Sequence, residues 1–391
     1  MRRGFESENL EPIGKGLIAR LQNNPADALA CLDLSVVFEL GGDLELAMQF
    51  QNSALAMRQH YRLQSSKDPN AIKVLAIKSR GAIMDNMPIE FLVEDGPIQL
   101  ESLYVGQGIP SPKYIPDHDV AVVAICESDA NQDLLANLSD VVEHWPAPVL
   151  NQPSRIACLA RDRIGDYVSN IPGLVFPASV RYARDELREM TSVQSLPESS
   201  EKSDGWVIRP VNTHAGNGLA RITNRAELMQ YLEASTAQEL VVAPFIPYAS
   251  EDGVYRKYRI ALIQGESYPV HMAISQRWMV HYLNADMLEN PQHREEEAAF
   301  MDGYSFGFGN KHRRTLRNLS NRLGLDYVVL DCAETVNGKL LLFEADNGAV
   351  VHSMDPVDIF PYKRPAMERI FAAFERMLMR SIPAKSNRMV A

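Results

Sequence analysis

The chain has 391 residues with an apolar share of 46%, enough for two or three domains with cores of their own. Its formal net charge of -11 argues against a general nucleic-acid binder, and four widely spaced cysteines (Cys31, Cys126, Cys158, Cys332) without ligand spacing argue against structural zinc and fit reduced thiols. The opening MRRGFESENLEP lacks the apolar stretch of a secretory signal and no run reaches membrane-spanning length, so the expected location is the cytoplasm, with no membrane partner.

In chain order, PADALACLDLSVVFEL and DLELAMQFQNSALAMRQHYRL predict two amphipathic helices across residues 25–63, separated by Gly41-Gly42, with Asp43 as N-cap of the second. The spacing of Ala, Leu and aromatic residues resembles one tetratricopeptide unit, which buries little alone and points to a peptide, a protein or a second copy of the chain as partner. The polar QSSKDPN reads as a linker. After it, IKVLAIKS, PIEFLVE, IQLESLYV, DVAVVAIC and PVLN alternate with helical patterns, the signature of an α/β layer with a mainly parallel sheet. Ligands usually bind at the carboxyl ends of such strands, which makes the loop from Ser79 to Pro88, the run Glu127, Ser128, Asp129, and Asn151 candidate substrate-facing positions.

RIACLARDRIGDYVSNI then reads as a helix, and TSVQSLPESSEKSDG as a mobile polar loop. GWVIRPVN and GLARIT flank a Gly-rich loop, NRAELMQYLEAS is helical, and ELVVAPFIPY is a strand. YRKYRIALIQ and SYPVHMAIS form a hairpin around Gly265-Glu266. DYVVLDCAETV and KLLLFEAD form another around Asn337-Gly338, read as a two-residue turn. The closing PAMERIFAAFERMLMRS carries an apolar stripe at helical spacing, which points to core.

The last hairpin carries the most informative acids. Asp331 lies on one strand and Glu344, Asp346 and Asn347 end its partner, so antiparallel pairing brings the carboxylates to one face. Acids gathered in this way repel one another unless a hard cation neutralises them. Magnesium accepts carboxylate oxygens together with substrate phosphates.

On these residues the chain resembles the ATP-grasp superfamily, in particular the carboxylate-amine ligases that include glutathione synthetase-like and D-alanine ligase-like enzymes. In that family a late Asp and a terminal Glu-x-Asn carry the magnesium ions; here the second motif reads Glu344-Ala-Asp346, which keeps an oxygen ligand and adds a charge. The resemblance implies an α/β (α+β) ATP-grasp fold with a helical hairpin at 1–68, a preceding α/β domain at 69–155 and the grasp domain at 156–391, its lid about 156–244 and its metal-binding half about 245–391. GWVIRPVNTHAGNGLARI is similar to the family's phosphate-covering loop, with His214, Gly216, Asn217 and Gly218 near the phosphates. Arg209 and Arg163 stand where the family has phosphate-binding lysines, and guanidinium keeps the charge. Pro244, Phe245 and Ile246 match the segment on which adenine lies, and Glu251 or Asp252 the acid that holds the ribose.

Arg259 matches the family arginine that stabilises the acyl phosphate, Lys257 shares its strand face, and Arg277, His281 and Asn284 are further candidate ligands for a carboxylate or γ-phosphate. The implied cofactors are ATP and Mg²⁺, with Mn²⁺ as an alternative metal. The implied substrates are a small-molecule or peptide carboxylate and an amine, with a thiol as the other acceptor. The implied reaction is ATP-dependent ligation through an acyl phosphate, shielded from water by the 191–205 and Gly-rich loops as lids. Two alternatives share the fold, a degenerate nucleotide-binding scaffold or sensor and a phosphotransferase.

Overall fold

The computed structural model describes residues 1–383 except 65, 67, 95, 200, 214 and 215. Helices Ala28–Leu40 and Leu44–Met57 form the expected hairpin, each opened by an aspartate whose side chain accepts an amide, Asp27 from Ala30 and Asp43 from Leu46. A further helix, Glu11–Asn23, packs on the first of them. The second helix stops at Met57, earlier than its apolar spacing predicts. Residues His60–Gln64 form strand β1 instead, because Tyr61 turns inward, buries fully and donates its hydroxyl to the Ala54 carbonyl at 2.9 Å.

Strands β2 (Ile72–Ser79), β3 (Ile98–Val105), β4 (Val120–Val123) and β5 (Val149–Leu150) complete a sheet in the order β1-β3-β2-β4-β5, parallel except for β1. Val74, Leu75, Ala76 and Ile77 are all buried, as expected of a parallel strand covered on both faces. PIEFLVE is not a strand but the short helix Ile89–Val93.

Beyond β6 (Leu174–Val175) and β7 (Val180–Ala183) come β8 (Trp206–Pro210), β9 (Ala220–Ile222) and β10 (Glu239–Pro244), which make a small antiparallel sheet in the order β7-β10-β8-β9. It has a core of its own, in which Ile208, Ile222, Leu240 and Val242 meet Leu187 and Leu228. Val193 and Leu196 are buried in that core and the Trp206 indole donates to the Pro197 carbonyl at 2.8 Å, so this part of the polar 191–205 stretch is packed against the sheet.

Strands β11 (Tyr255–Ile263), β12 (Glu266–Ser275), β13 (Tyr327–Glu334) and β14 (Leu340–Asp346) join β6 in a third sheet ordered β12-β11-β13-β14-β6, with only β6 parallel to its neighbour. Gln264 and Gly265 both have positive φ at the β11–β12 turn, the conformation that matches the twist of a hairpin. The β13–β14 loop is one residue longer than its Asn-Gly pair predicts. Thr335 and Lys339 close it with a 2.9 Å backbone bond, leaving three residues with Gly338 at φ 71°. One face of this sheet packs towards the parallel sheet through Ile260, Leu330 and Leu342, in a cluster that also holds Leu75, Ile77 and Val123. The closing helix Lys363–Ser381 buries Ile370, Phe374 and Met377 with Val74, Ala76 and Val122 in a second shared cluster. Among the described residues no helix is long and apolar enough to cross a membrane.

Candidate active site

Between the small antiparallel sheet and the third sheet lies a cleft of about 570 Å³. Its floor is set by strand register. Arg259 on β11 sits opposite His271 on β12 and Asp331 on β13, and Asp331 sits opposite Glu344 on β14. Four strands thus present His271, Arg259, Asp331 and Glu344 in one row, and period-two alternation adds Lys257 and Asp346 to the same face. The intervening Ile260, Leu330 and Ala345 turn into the core behind, which makes the register hard to slip.

Every acid in the row is engaged. Arg259 holds Asp331 with two bonds, at 2.7 and 3.0 Å, and Lys257 reaches its second oxygen at 2.6 Å. Burial alone would raise the Asp331 carboxyl, but these two cations hold it well below the usual carboxylate range. Burial likewise opposes ionisation of Glu344, and Arg161, bonded to it at 2.5 Å, more than offsets that despite the nearby Asp331.

The sign for stability follows. Asp331 has a depressed folded pKa, so its contribution is fully present above the unfolded carboxylate value near ~4 and is lost as pH falls below it. Urea midpoints for wild type should drop between pH 6 and 3 more steeply than those for Asp331→Asn. Parallel curves would remove Asp331 from the acid response.

Arg209, on β8, faces the row from the opposite wall. Burial, followed by the charge of Arg161, pulls its pKa down to about 10, with Glu344 opposing. Its hydrogen bonds go to the hydroxyl (3.1 Å) and the carbonyl of Thr213 on its own loop. Two guanidiniums therefore share the mouth of the row with Glu344.

The earlier expectation placed Arg163 here, and the structure corrects it. Arg163 does not line the cleft and donates to Gln132 at 2.7 Å; Arg161 occupies the position instead. The continuous helix expected over this stretch is broken. Ala160 is extended at ψ 133°, between the turn Ala157–Leu159 and the helix Ile164–Val168, and the break turns Arg161 inward. The RDR triplet held the signal, since a frame shift of two residues separates its arginines.

At the far end the lining is apolar, with Val207, Val241, Ala243, Phe245, Leu341 and Phe343. Phe245 directs both its amide and its carbonyl at the β8 side, to Gly205 and from Asp204, each at 2.9 Å. Strand alternation then turns the Pro244 carbonyl and the Ile246 amide towards the β7 side. There β7 pairs no further than Val242, so this acceptor and donor pass beyond the end of the strand.

Other expected positions lie elsewhere. Gly216 lines the cleft, but Asn217 and Gly218 are exposed. Gly218 is needed to close the loop, since a Cβ there would lie 2.6 Å from Pro210 Cδ. His214 lies outside the described residues. Glu251 is exposed in the turn before Gly253, and Asp252 beside it pairs with Arg256 at 2.7 Å, so neither lines the cleft. Arg277 is exposed and also outside the lining, whereas His281 and Asn284 belong to it.

Asn347 is fully buried and donates to the Ile125 carbonyl at 2.9 Å, which ties the end of β14 to the parallel sheet, while its amide oxygen is buried without a hydrogen-bond partner among the described residues. Asn151 does similar work, exchanging 2.9 Å bonds with Tyr327. Asp129 receives two 2.8 Å bonds from Arg181 on β7, fastening the small sheet to the parallel one.

Among the described residues no three acidic, histidine or cysteine side chains close on a single metal position. Asp331 has both oxygens held by cations. Magnesium, however, is commonly bound by one or two carboxylates, with water and phosphate filling the rest. Glu344 and Asp346, two residues apart on β14 and both in the lining, meet that smaller requirement.

No family model matches the sequence, and neither does any curated protein. Among solved structures the chain is similar to the VanG D-Ala:D-Ser ligase from Enterococcus faecalis, at 12% identity over 79% of this chain and 100% of that one, with a TM-score of 0.48. A D-alanine–D-alanine ligase from Bacillus anthracis matches at 12% over 80% and 97%, with a TM-score of 0.47. The D-alanyl-alanine synthetase A from Vibrio cholerae matches at 11% over 81% and 100%, also at 0.47. At these scores the likeness carries no functional conclusion for this chain.

Proposed function

We propose that the chain is an ATP-dependent ligase of the ATP-grasp type, which activates a substrate carboxylate as an acyl phosphate and passes the acyl group to an amine. The observation that carries this is the pair of guanidiniums, Arg161 and Arg209, held close enough to repel across a buried mouth, where Glu344 bonds Arg161 and Asp346 and Glu127 add weaker charge. Such a pair is stable only with an anion, and a triphosphate supplies one. The apolar end supports the other half of the reading. It combines a flat apolar lining with the outward Pro244 carbonyl and Ile246 amide, the acceptor and donor that an adenine edge requires.

In this reading the antiparallel sheet β7-β10-β8-β9 is the lid and the third sheet the base. Arg161 and Arg209 hold the phosphates. Lys257 and Arg259, fixed by Asp331, face the carboxylate and the charge that develops on it, a fixed electrostatic contribution made without reorganisation. Mg²⁺ would sit at Glu344 and Asp346, where it would screen the phosphate charge. The closed lid excludes water from the acyl phosphate until the amine displaces phosphate. Four free cysteines suit a reducing compartment such as the cytoplasm.

The test is hydroxylamine capture. With ATP, Mg²⁺ and a panel of carboxylic acids, the chain should release ADP and form a hydroxamate, and Arg161→Met should lower the rate by about 100-fold or more. Nucleotide binding without hydroxamate from any acid would favour the scaffold alternative, and a stable phosphorylated product the phosphotransferase.

A further inference from the structure

We propose that the carboxylate substrate carries an apolar body without a second charge, seated in the end of the cleft opposite the proposed adenine end; this rests on the ligase reading for the carboxylate itself. The wall there is drawn from five parts of the chain. Phe5 comes from the amino-terminal turn, Met84 from the loop after β2, Val270 from β12, Val280 from the segment beyond it, and Val350 and Met367 from the carboxyl-terminal region. Phe5 and Met84 remain 37% and 38% exposed, and although the Phe5 ring meets the buried Phe91 ring edge-on at 5.5 Å, both leave apolar surface open at the cavity. Exposed apolar surface gathered inside a cleft is the usual mark of a ligand's apolar contact.

Charge at this end is already balanced. Among the described residues of the lining, the charged side chains here are Lys363 and Asp355, and they pair at 3.3 Å. The Lys363 ammonium also lies 4.0 Å from the centroid of the Tyr282 ring and donates to its hydroxyl. His271, His281, His352 and Asn284 are further polar groups of the lining. Burial favours the neutral form of each histidine, helped at His271 and His281 by nearby cations and opposed at His352 by Asp355. A ligand body that brought its own charge would find no counter-charge in this compartment.

The boundary with the row differs. A guanidinium has five donors and an ammonium three. Asp331 takes two from Arg259 and one from Lys257, so both retain donors for one carboxylate at the inner edge. One anionic head at Arg259 and Lys257, followed by an uncharged apolar body towards Met84 and Phe5, is the ligand this arrangement accommodates.

The experiment compares octanoate with octanedioate, of equal chain length, by titration calorimetry on the full chain with and without a non-hydrolysable ATP analogue and Mg²⁺. Octanoate should bind on the order of 100-fold more tightly, because the second carboxylate of octanedioate would be buried without a partner. Straight-chain acids from butanoate upward should gain about fourfold in affinity per methylene until the end is filled. Met84→Lys, at a position already open to solvent, should narrow the gap to about tenfold by giving the distal carboxylate a cation. Equal or tighter binding of octanedioate, or binding of neither acid, overturns the proposal. Tight octanoate binding without ADP release or analogue binding would instead overturn the ligase reading and leave this compartment's selectivity standing.

Discussion

Arg259→Met is expected to cost about 3 kcal/mol of folding stability, the low end of the range for breaking a buried ion pair, because Lys257 still reaches Asp331 at 2.6 Å. The residue stands between two groups that need it. On β13 its two bonds offset the burial of Asp331, and in the proposed ligase it would face the carbon at which charge builds during acyl transfer. The second variant to make is Arg259→Met/Asp331→Asn. Removing both charges should restore at least about 1 kcal/mol relative to Arg259→Met, since the lost pairing no longer leaves a carboxylate uncompensated. Urea unfolding of the wild type, the two single variants and the double variant gives the coupling directly. Additivity within about 0.5 kcal/mol would mean that the pair does not support the floor of the cleft. In activity, Arg259→Met should lower hydroxamate formation by about 100-fold or more whether or not Asp331 is also changed, so the stability and activity effects separate in the double variant.

Much of that floor was legible in the sequence because it is written in strand period. VVLD followed by a Gly-containing turn and LLLFEAD allows one register that keeps Leu330 and Ala345 inside, and that register puts Asp331 opposite Glu344. The same logic placed Arg259 and Lys257 together. What the period did not carry was anything decided by a break in the chain or by a distant partner. A continuous helix would put Arg161 and Arg163 on opposite faces without saying which one meets the cleft, and the extended Ala160 is what settles it. Glu251 and Arg277 lie in irregular segments, where no period says which way a side chain turns.

Asn347 is a different case, because a distant group holds its nitrogen while its buried amide oxygen has no hydrogen-bond partner among the described residues. It follows directly on the acids, but it is the first residue past the strand, and the demand of the Ile125 carbonyl for a donor across the interface claims its amide. Asn151 and Asp129 were legible as polar ends of parallel strands, yet both serve contacts between sheets that are more than 50 residues apart in sequence. Long-range claims of this kind leave no mark on local sequence. The end of the second helix at Met57 belongs to the same class, since it is the place for Tyr61 under that helix that recruits His60–Gln64 into β1.

Arg209→Met should have opposite effects on stability and on binding. In the unliganded chain Arg209 is a buried cation beside another cation, with its hydrogen bonds made to Thr213 rather than to a carboxylate, and its depressed pKa records a folded state that disfavours the charge. Methionine keeps much of the side-chain volume and removes that charge, so the unliganded variant should be more stable, by on the order of 1–2 kcal/mol. Affinity for inorganic tripolyphosphate, which tests the phosphate site without adenine or substrate, should fall between about tenfold and a hundredfold, the worth of one or two charge-assisted hydrogen bonds. Thermal unfolding with and without tripolyphosphate reads both effects in one series, since a ligand that binds only the folded chain raises its midpoint in proportion to occupancy. The variant should unfold later than wild type without the anion and gain less when it is added. A variant that unfolds earlier without the anion, or gains as much from it, would show that Arg209 supports the lid structurally and does not hold phosphate. The wild-type sequence would then be keeping an unfavourable charge for no ligand, whereas the phosphate reading gives that charge its counter-ion.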